Sequence, residues 1–319
     1  AISSNFGSTV IATAGDVAVG NATSGTFTTL RGDNVTLDTG NVTGNLTLDA
    51  TDGDVSGTGA VTVGGNIDLD ATGDIGFGSL TAQGATFTAD AGGALAFTSA
   101  TSSGSINFNA DTITFDNITS VAATNLTATG GAANSINGGS IDTGGTGDVT
   151  LRSDGLIDVD DVTARIFTAD AGTDLTLGAV DAIGRDIRGI AINLDANGTI
   201  RFTSLLSGRG ISIGNDINVD PDAIIGGTIT SDNGVTITAD AITVGDVIIT
   251  ELGGITLESE AGNLNTGDLT SNTFGIFLTS SDAVVAGDLV VVGNSNSSDI
   301  DIDANGDVTV GDVTAGDRL

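Results

Sequence analysis

Aspartate is the residue type through which this chain could do chemistry. Asp299, Asp301 and Asp303 alternate with Ile300 and Ile302, a spacing that puts three carboxylates along one outward strand face. Asp158, Asp160 and Asp161 crowd a second short run, and Asp49, Asp70 and Asp90 recur at the same point of three similar segments. Carboxylate oxygens are hard donors, so the ion they suit is calcium. The D-x-D-x-D-G spacing of a calcium loop nevertheless fails because Ala304 follows Asp303. The stretch Gly144-Gly145-Thr146-Gly147-Asp148 is the nearest approach to the GGxGxD pattern of calcium-binding rolls, and it misses. Unit charges stacked at the strand spacing repel by roughly 1 kcal/mol even at the dielectric of water. A divalent cation is therefore expected to steady the Asp49, Asp70 and Asp90 column, although no cofactor is required.

Catalysis has little to work with. His, Cys, Lys and Tyr are absent, so the usual pairs of nucleophile and base cannot be assembled. Two carboxylates are enough for glycoside hydrolysis, but sugar sites also draw on aromatic platforms and basic residues. Here the supply is Phe and eight scattered Arg, and the expectation is a protein that is not an enzyme. Arg31, Gly32 and Asp33 spell the integrin-recognition tripeptide, and the repeat places it at a corner, where it is expected to be exposed. Thr-x-Thr runs such as Thr86-Phe87-Thr88 would make a hydroxyl face of the ice-binding kind, but Asp68 and Asn107 interrupt it. Sequons at Asn21, Asn34, Asn45 and Asn125 matter only in a glycosylating host.

The elements that must carry these residues are legible as a repeat. Residues 66–84 and 86–104 write one pattern twice, twenty residues apart. One apolar column reads Phe27, Leu46, Ile67, Phe87, Ile106, Leu126, Val149 and Phe167, and a second reads Val35, Val55, Ile75 and Leu95. Within a unit the apolar residues alternate, as in Leu46-Thr47-Leu48 and Val235-Thr236-Ile237, which marks strands with one buried face. Polar corners bearing Gly, such as Asp70-Ala71-Thr72-Gly73, leave no room for a helix. With 49 Gly against one Pro, and 3% aromatic residues, all Phe, any core is thin and aliphatic. The prediction is an all-β parallel β-helix, or β-solenoid, of about 20 residues per rung and about sixteen rungs. One rung cannot bury its apolar face alone, whereas stacked rungs can. The register loosens at residues 125–146 and 186–227, which read as lengthened corners, and residues 1–319 are expected to form a single repeat domain.

A net charge of −33 makes nucleic acid and anionic membrane poor partners, while a mean hydropathy of +0.26 with regular aliphatics argues against disorder. No apolar run of eighteen residues occurs and neither Trp nor Tyr is present to build barrel girdles, so membrane insertion is not expected. The end at Asp317, Arg318 and Leu319, with no recognisable cap just after a repeat-like segment, reads as a piece cut from a longer chain.

The segments GNLTLDATDGDVSG (44–57), GNIDLDATGDIGFG (65–78) and ATFTADAGGALAFTS (85–99) resemble the shaft repeats of filamentous haemagglutinin-type bacterial exoproteins, two-partner-secreted adhesins. The resemblance spans nearly the whole chain and is one of pattern. It implies a right-handed β-helix, export, and display at the cell surface as an adhesin or fibre. Nothing here matches the Asn-Pro signature of that family's secretion domain. The expected role is an extracellular shaft whose partner is a host or neighbouring-cell surface. The alternative is a filament or surface-layer subunit that stacks end to end with other copies of itself.

Overall fold

The alternation Leu46-Thr47-Leu48 is realised as the strand Asn45–Ala50, with Leu46 and Leu48 fully buried and Thr47 turned outward. Its neighbour Ile67–Ala71 repeats the arrangement in parallel register, Leu46 against Ile67 and Leu48 against Leu69. The computed structural model describes residues 1–131, 135–184, 189–214, 220–293 and 298–316. The expectation for Asp317, Arg318 and Leu319 lies outside them, as do parts of the two stretches where the register loosens. Among the described residues there is no α-helix.

The chain divides into two compact units, Ala1–Val159 and Asp160–Leu319. Each is a parallel β-solenoid in which successive coils add a short strand to one sheet and, to another, either one longer strand or two short ones. Among the described residues the short strands number eight in the first unit, from Ser8–Ile11 to Val149–Ser153, and seven in the second, from Phe167–Ala171 to Ile300–Ala304. That makes fifteen coils among the described residues, in keeping with the about sixteen expected. The core lies between the two sheets and is lined by aliphatic columns. The second column holds at its predicted interval, Val35 on Val55 on Ile75 on Leu95, and extends back to Val17 and on to Ile113 and Ile136. Fully burying one such side chain is worth about 1.5–3 kcal/mol.

The first column differs from its sequence reading at two places. Thr28, not Phe27, stands against Leu46, because the strand Phe27–Gly32 faces Thr28 and Leu30 inward and leaves Phe27 44% exposed. Thr124, not Leu126, stands against Ile106, while Leu126 stacks between Phe108 and Leu151. In both cases a buried threonine occupies a place in the column that aliphatic spacing alone does not reveal. Phe87, Phe97 and Phe108 form the one aromatic cluster among the described residues, with ring centroids 4.9–5.7 Å apart.

Unit two departs from unit one along its long strands. After Ala223–Ser231 each long strand is broken into two short ones, as in Ile242–Val244 and Val247–Ile249 or Leu264–Thr266 and Leu269–Ser271. The break falls each time at a Gly-Asp dipeptide, Gly245-Asp246, Gly267-Asp268, Gly287-Asp288 and Gly311-Asp312.

Candidate functional site

The short-strand sheet of the first unit presents two outward columns. One runs Arg31, Asp49, Asp70, Asp90, Asn109, Thr127 and Arg152, and the other Thr47, Asp68, Thr88, Asn107 and Asn125. Strand alternation forces this, since the residues between them fill the core. Their middle coils line an open depression of about 540 Å³. Side chains pair from coil to coil across it. Thr88 Oγ1 donates to Asp68 Oδ1 at 2.7 Å, Asn109 Nδ2 to Asp90 Oδ1 at 3.0 Å and Asn125 Nδ2 to Asn107 Oδ1 at 2.8 Å.

The three carboxylates singled out from sequence therefore do stack on adjacent strands, but they are not equivalent. Asp49 accepts an ion pair from Arg31, Nε to Oδ2 at 3.1 Å, and Asp90 is held by Asn109. Asp70, between them, has no side-chain partner among the described residues. Burial holds its carboxyl above the usual range, and the charges of Asp49, Asp90 and Asp68 push it further the same way. The column can accept hydrogen bonds from a polar ligand. It lies in a line, and among the described residues no three acidic side chains converge as a ligand set for a metal ion.

The tripeptide runs from the end of a strand into the expected corner at Asp33, with Arg31 exposed. Arg31 and Gly32 belong to the strand Phe27–Gly32, Gly32 is buried, and its carbonyl accepts from the amide of Thr51 at 2.9 Å. Asp33 Oδ2 accepts from the amide of Gly15 at 2.6 Å. Both charged ends of Arg31-Gly32-Asp33 are thus engaged by the solenoid itself. Asp299, Asp301 and Asp303 are exposed as expected, Asp301 beside Phe277 and Asp303 beside Thr279 of the preceding coil. Of the crowded run at 158–161, Asp161 Oδ1 accepts from the amide of Ala179 at 2.9 Å. In the second unit Glu260 titrates above the ordinary carboxylate range, mainly because of the charge of Asp220, then burial and a hydrogen bond with the same residue.

Sequence reasoning missed what a recurrent set of corner residues does. Asp16, Asn34, Asp54 and Asp74 form a ladder in which each Oδ1 accepts the backbone amide of the residue one coil on, at 2.7–3.2 Å. Asp246, Asp268 and Asp288 form a second, at 2.8–2.9 Å. The preceding glycine makes the space. A Cβ on Gly73 would stand 2.2 Å from Asp54 Oδ1, and one on Gly267 2.1 Å from Asp246 Oδ1. The signal was present as Gly-Asp dipeptides recurring at the coil interval.

No protein-family model matches the chain, and neither a curated protein nor a solved structure does.

Proposed function

We propose that this chain is a non-enzymatic, extracellular shaft segment of a bacterial surface adhesin or fibre, whose work is to hold a binding element away from the cell. The observation that carries the reading is the use to which the polar residues are put. Polar side chains at the corners and on the short-strand face are spent on bonds from one coil to the next, Asp54 to the amide of Asp74 and Asn109 to Asp90 among them, which is a structural use. The resemblance to haemagglutinin-type shaft repeats points the same way, as does the lack of His, Cys, Lys and Tyr. A shaft is made of interchangeable coils, each stabilised by its nearest neighbours.

The test follows from the register. Val55, Ile75 and Leu95 occupy equivalent positions, so excising residues 55–94 removes two whole coils and rejoins matching strands. On the surface of the producing cell the shortened protein should still be displayed and folded, with attachment reduced only in proportion to reach. Complete loss of attachment with display intact would instead place the binding function in the excised coils and sink the shaft reading.

A further inference from the structure

On the short-strand face of the second unit, one outward column reads Thr236, Thr256, Phe277 and Asp301. Phe277 is 41% exposed, and threonine on the two preceding coils shows that the position does not demand an aromatic ring. Gly275 makes room for that ring, since a Cβ there would stand 3.0 Å from its Cζ. Alongside, two residues further on each strand, runs the column Thr238, Glu258, Thr279 and Asp303. Glu258, Thr279 and Asp303, with Glu260, Ser281 and Asn305 at the adjoining corner, line an open depression of about 380 Å³. From Phe277 to Thr279 the strand advances about 7 Å, so ring and depression lie within reach of one oligosaccharide.

The depression also contains a hydroxyl that the fold leaves unused. The Oγ of Ser281 is buried and has no hydrogen-bond partner among the described residues, and a ligand rich in hydroxyls would supply the missing bond after rotation about χ1. None of the lining residues is basic. Glu258 and Asp303 stand two coils apart, about 9–10 Å at the strand spacing, and among the described residues no three acidic side chains converge on one point. That spacing suits a ligand that spreads its positive charge and hydrogen-bond donors, not a single metal ion. An acidic glycan would meet repulsion here, and a polyamine would use the carboxylates but leave the ring idle. We infer that this face binds an amino-sugar oligosaccharide, with the apolar side of one sugar ring on Phe277 and the ammonium and hydroxyl groups of its neighbours on Glu258, Thr279 and Asp303. The site lies outside residues 55–94, so its failure and that of the shaft reading are distinguishable.

The test is isothermal titration calorimetry on the full chain, at low salt and in slightly acidic buffer, where amines are charged. The probes are a glucosamine trimer, its fully N-acetylated counterpart, and spermidine as a cation without rings. The glucosamine trimer should bind about tenfold tighter than either of the others. Phe277→Thr installs the residue that the two preceding coils carry, and should weaken the trimer about three- to fivefold while leaving spermidine unchanged. Glu258→Gln/Asp303→Asn should weaken both cations, and Asp54→Asn in the first unit should change neither. An acetylated trimer that binds as tightly would show that the ammonium is not recognised, and spermidine that binds as tightly would show that charge alone acts. Either result overturns the proposal, as does an unchanged trimer affinity in Phe277→Thr. Should the carboxylate variant fail to fold, Phe277→Thr decides alone.

Discussion

Asp54 Oδ1 lies 2.8 Å from the amide nitrogen of Asp74, one coil further along, and Gly73 leaves the gap through which that side chain reaches. The arrangement separates two roles of aspartate that composition merges. As an acceptor, Asp54 could equally be Asn, whose Oδ1 has the same reach. Asp54→Asn should therefore hold stability within about 0.5 kcal/mol, while Asp54→Ala should lose roughly 1 kcal/mol by stranding the Asp74 amide. Gly73→Ala should lose about 1–3 kcal/mol through overpacking, and much less in an Asp54→Ala background, where the colliding oxygen is gone. Urea unfolding of the native chain, Asp54→Ala, Gly73→Ala and the double variant as a double-mutant cycle reads this coupling. Additive losses would show that glycine and carboxylate act independently.

Thr28 gives a prediction of opposite sign. Its side chain is fully buried in a column below Leu46, and its Oγ1 has no hydrogen-bond partner among the described residues. A buried hydroxyl without a partner costs about 1–3 kcal/mol. Thr28→Val replaces it with a methyl group of similar shape, so the folded state should gain on the order of 1 kcal/mol, seen as a higher urea midpoint at an unchanged slope. A loss on substitution would mean that the hydroxyl is satisfied in solution.

How far the molecule could be read from its sequence follows from the same residues. Period-two alternation and a constant interval were enough for the solenoid and for the stacking of Asp49 on Asp70 and Asp90, because register is set by which face is buried. They could not place Thr28 or Thr124, since hydrophobicity does not distinguish a threonine turned inward from one turned outward. Nor could they see that Arg31 is drawn to Asp49, a pairing that depends on the strand carrying Arg31 being shifted by one residue from the apparent column. The ladder at Asp54 and Asp74 escaped for a different reason. Its sequence signal, a recurrent Gly-Asp, is also the ordinary signature of a solvated turn.

Asp70 predicts a pH dependence. Burial and three neighbouring carboxylates raise its folded-state pKa. The folded protein then holds a proton that the unfolded chain releases, so stability is greater below the unfolded value and falls as pH rises from it through the folded value. Above that window Asp70→Asn removes the repulsion and should be neutral to stabilising by up to about 0.5 kcal/mol, small because the site is solvated. Below it the gain should vanish. Thermal melts of both proteins between pH 3 and 7 check the sign. At neutral pH and fixed ionic strength, calcium should raise the melting temperature of the native chain more than that of the variant if a divalent cation bridges the column, and equally if it only screens.

Phe87 tests how locally the coils depend on one another. It is fully buried, with its ring centroid 4.9 Å from that of Phe108 and 5.7 Å from that of Phe97. Phe87→Ala deletes a ring that two neighbours pack against edge-on, and should cost about 3–5 kcal/mol. In a solenoid that loss is felt first by the coils in contact, because each coil is bonded only to the ones before and after it. Hydrogen exchange should accordingly show faster exchange for amides of Thr86–Ala91 and its partners Ile67–Ala71 and Ser105–Ala110. Strands of the second unit such as Val235–Ala239 should keep their protection. Equal deprotection of both sets would mean that the coils of the two units unfold as one cooperative body, and would contradict the nearest-neighbour account of their stability.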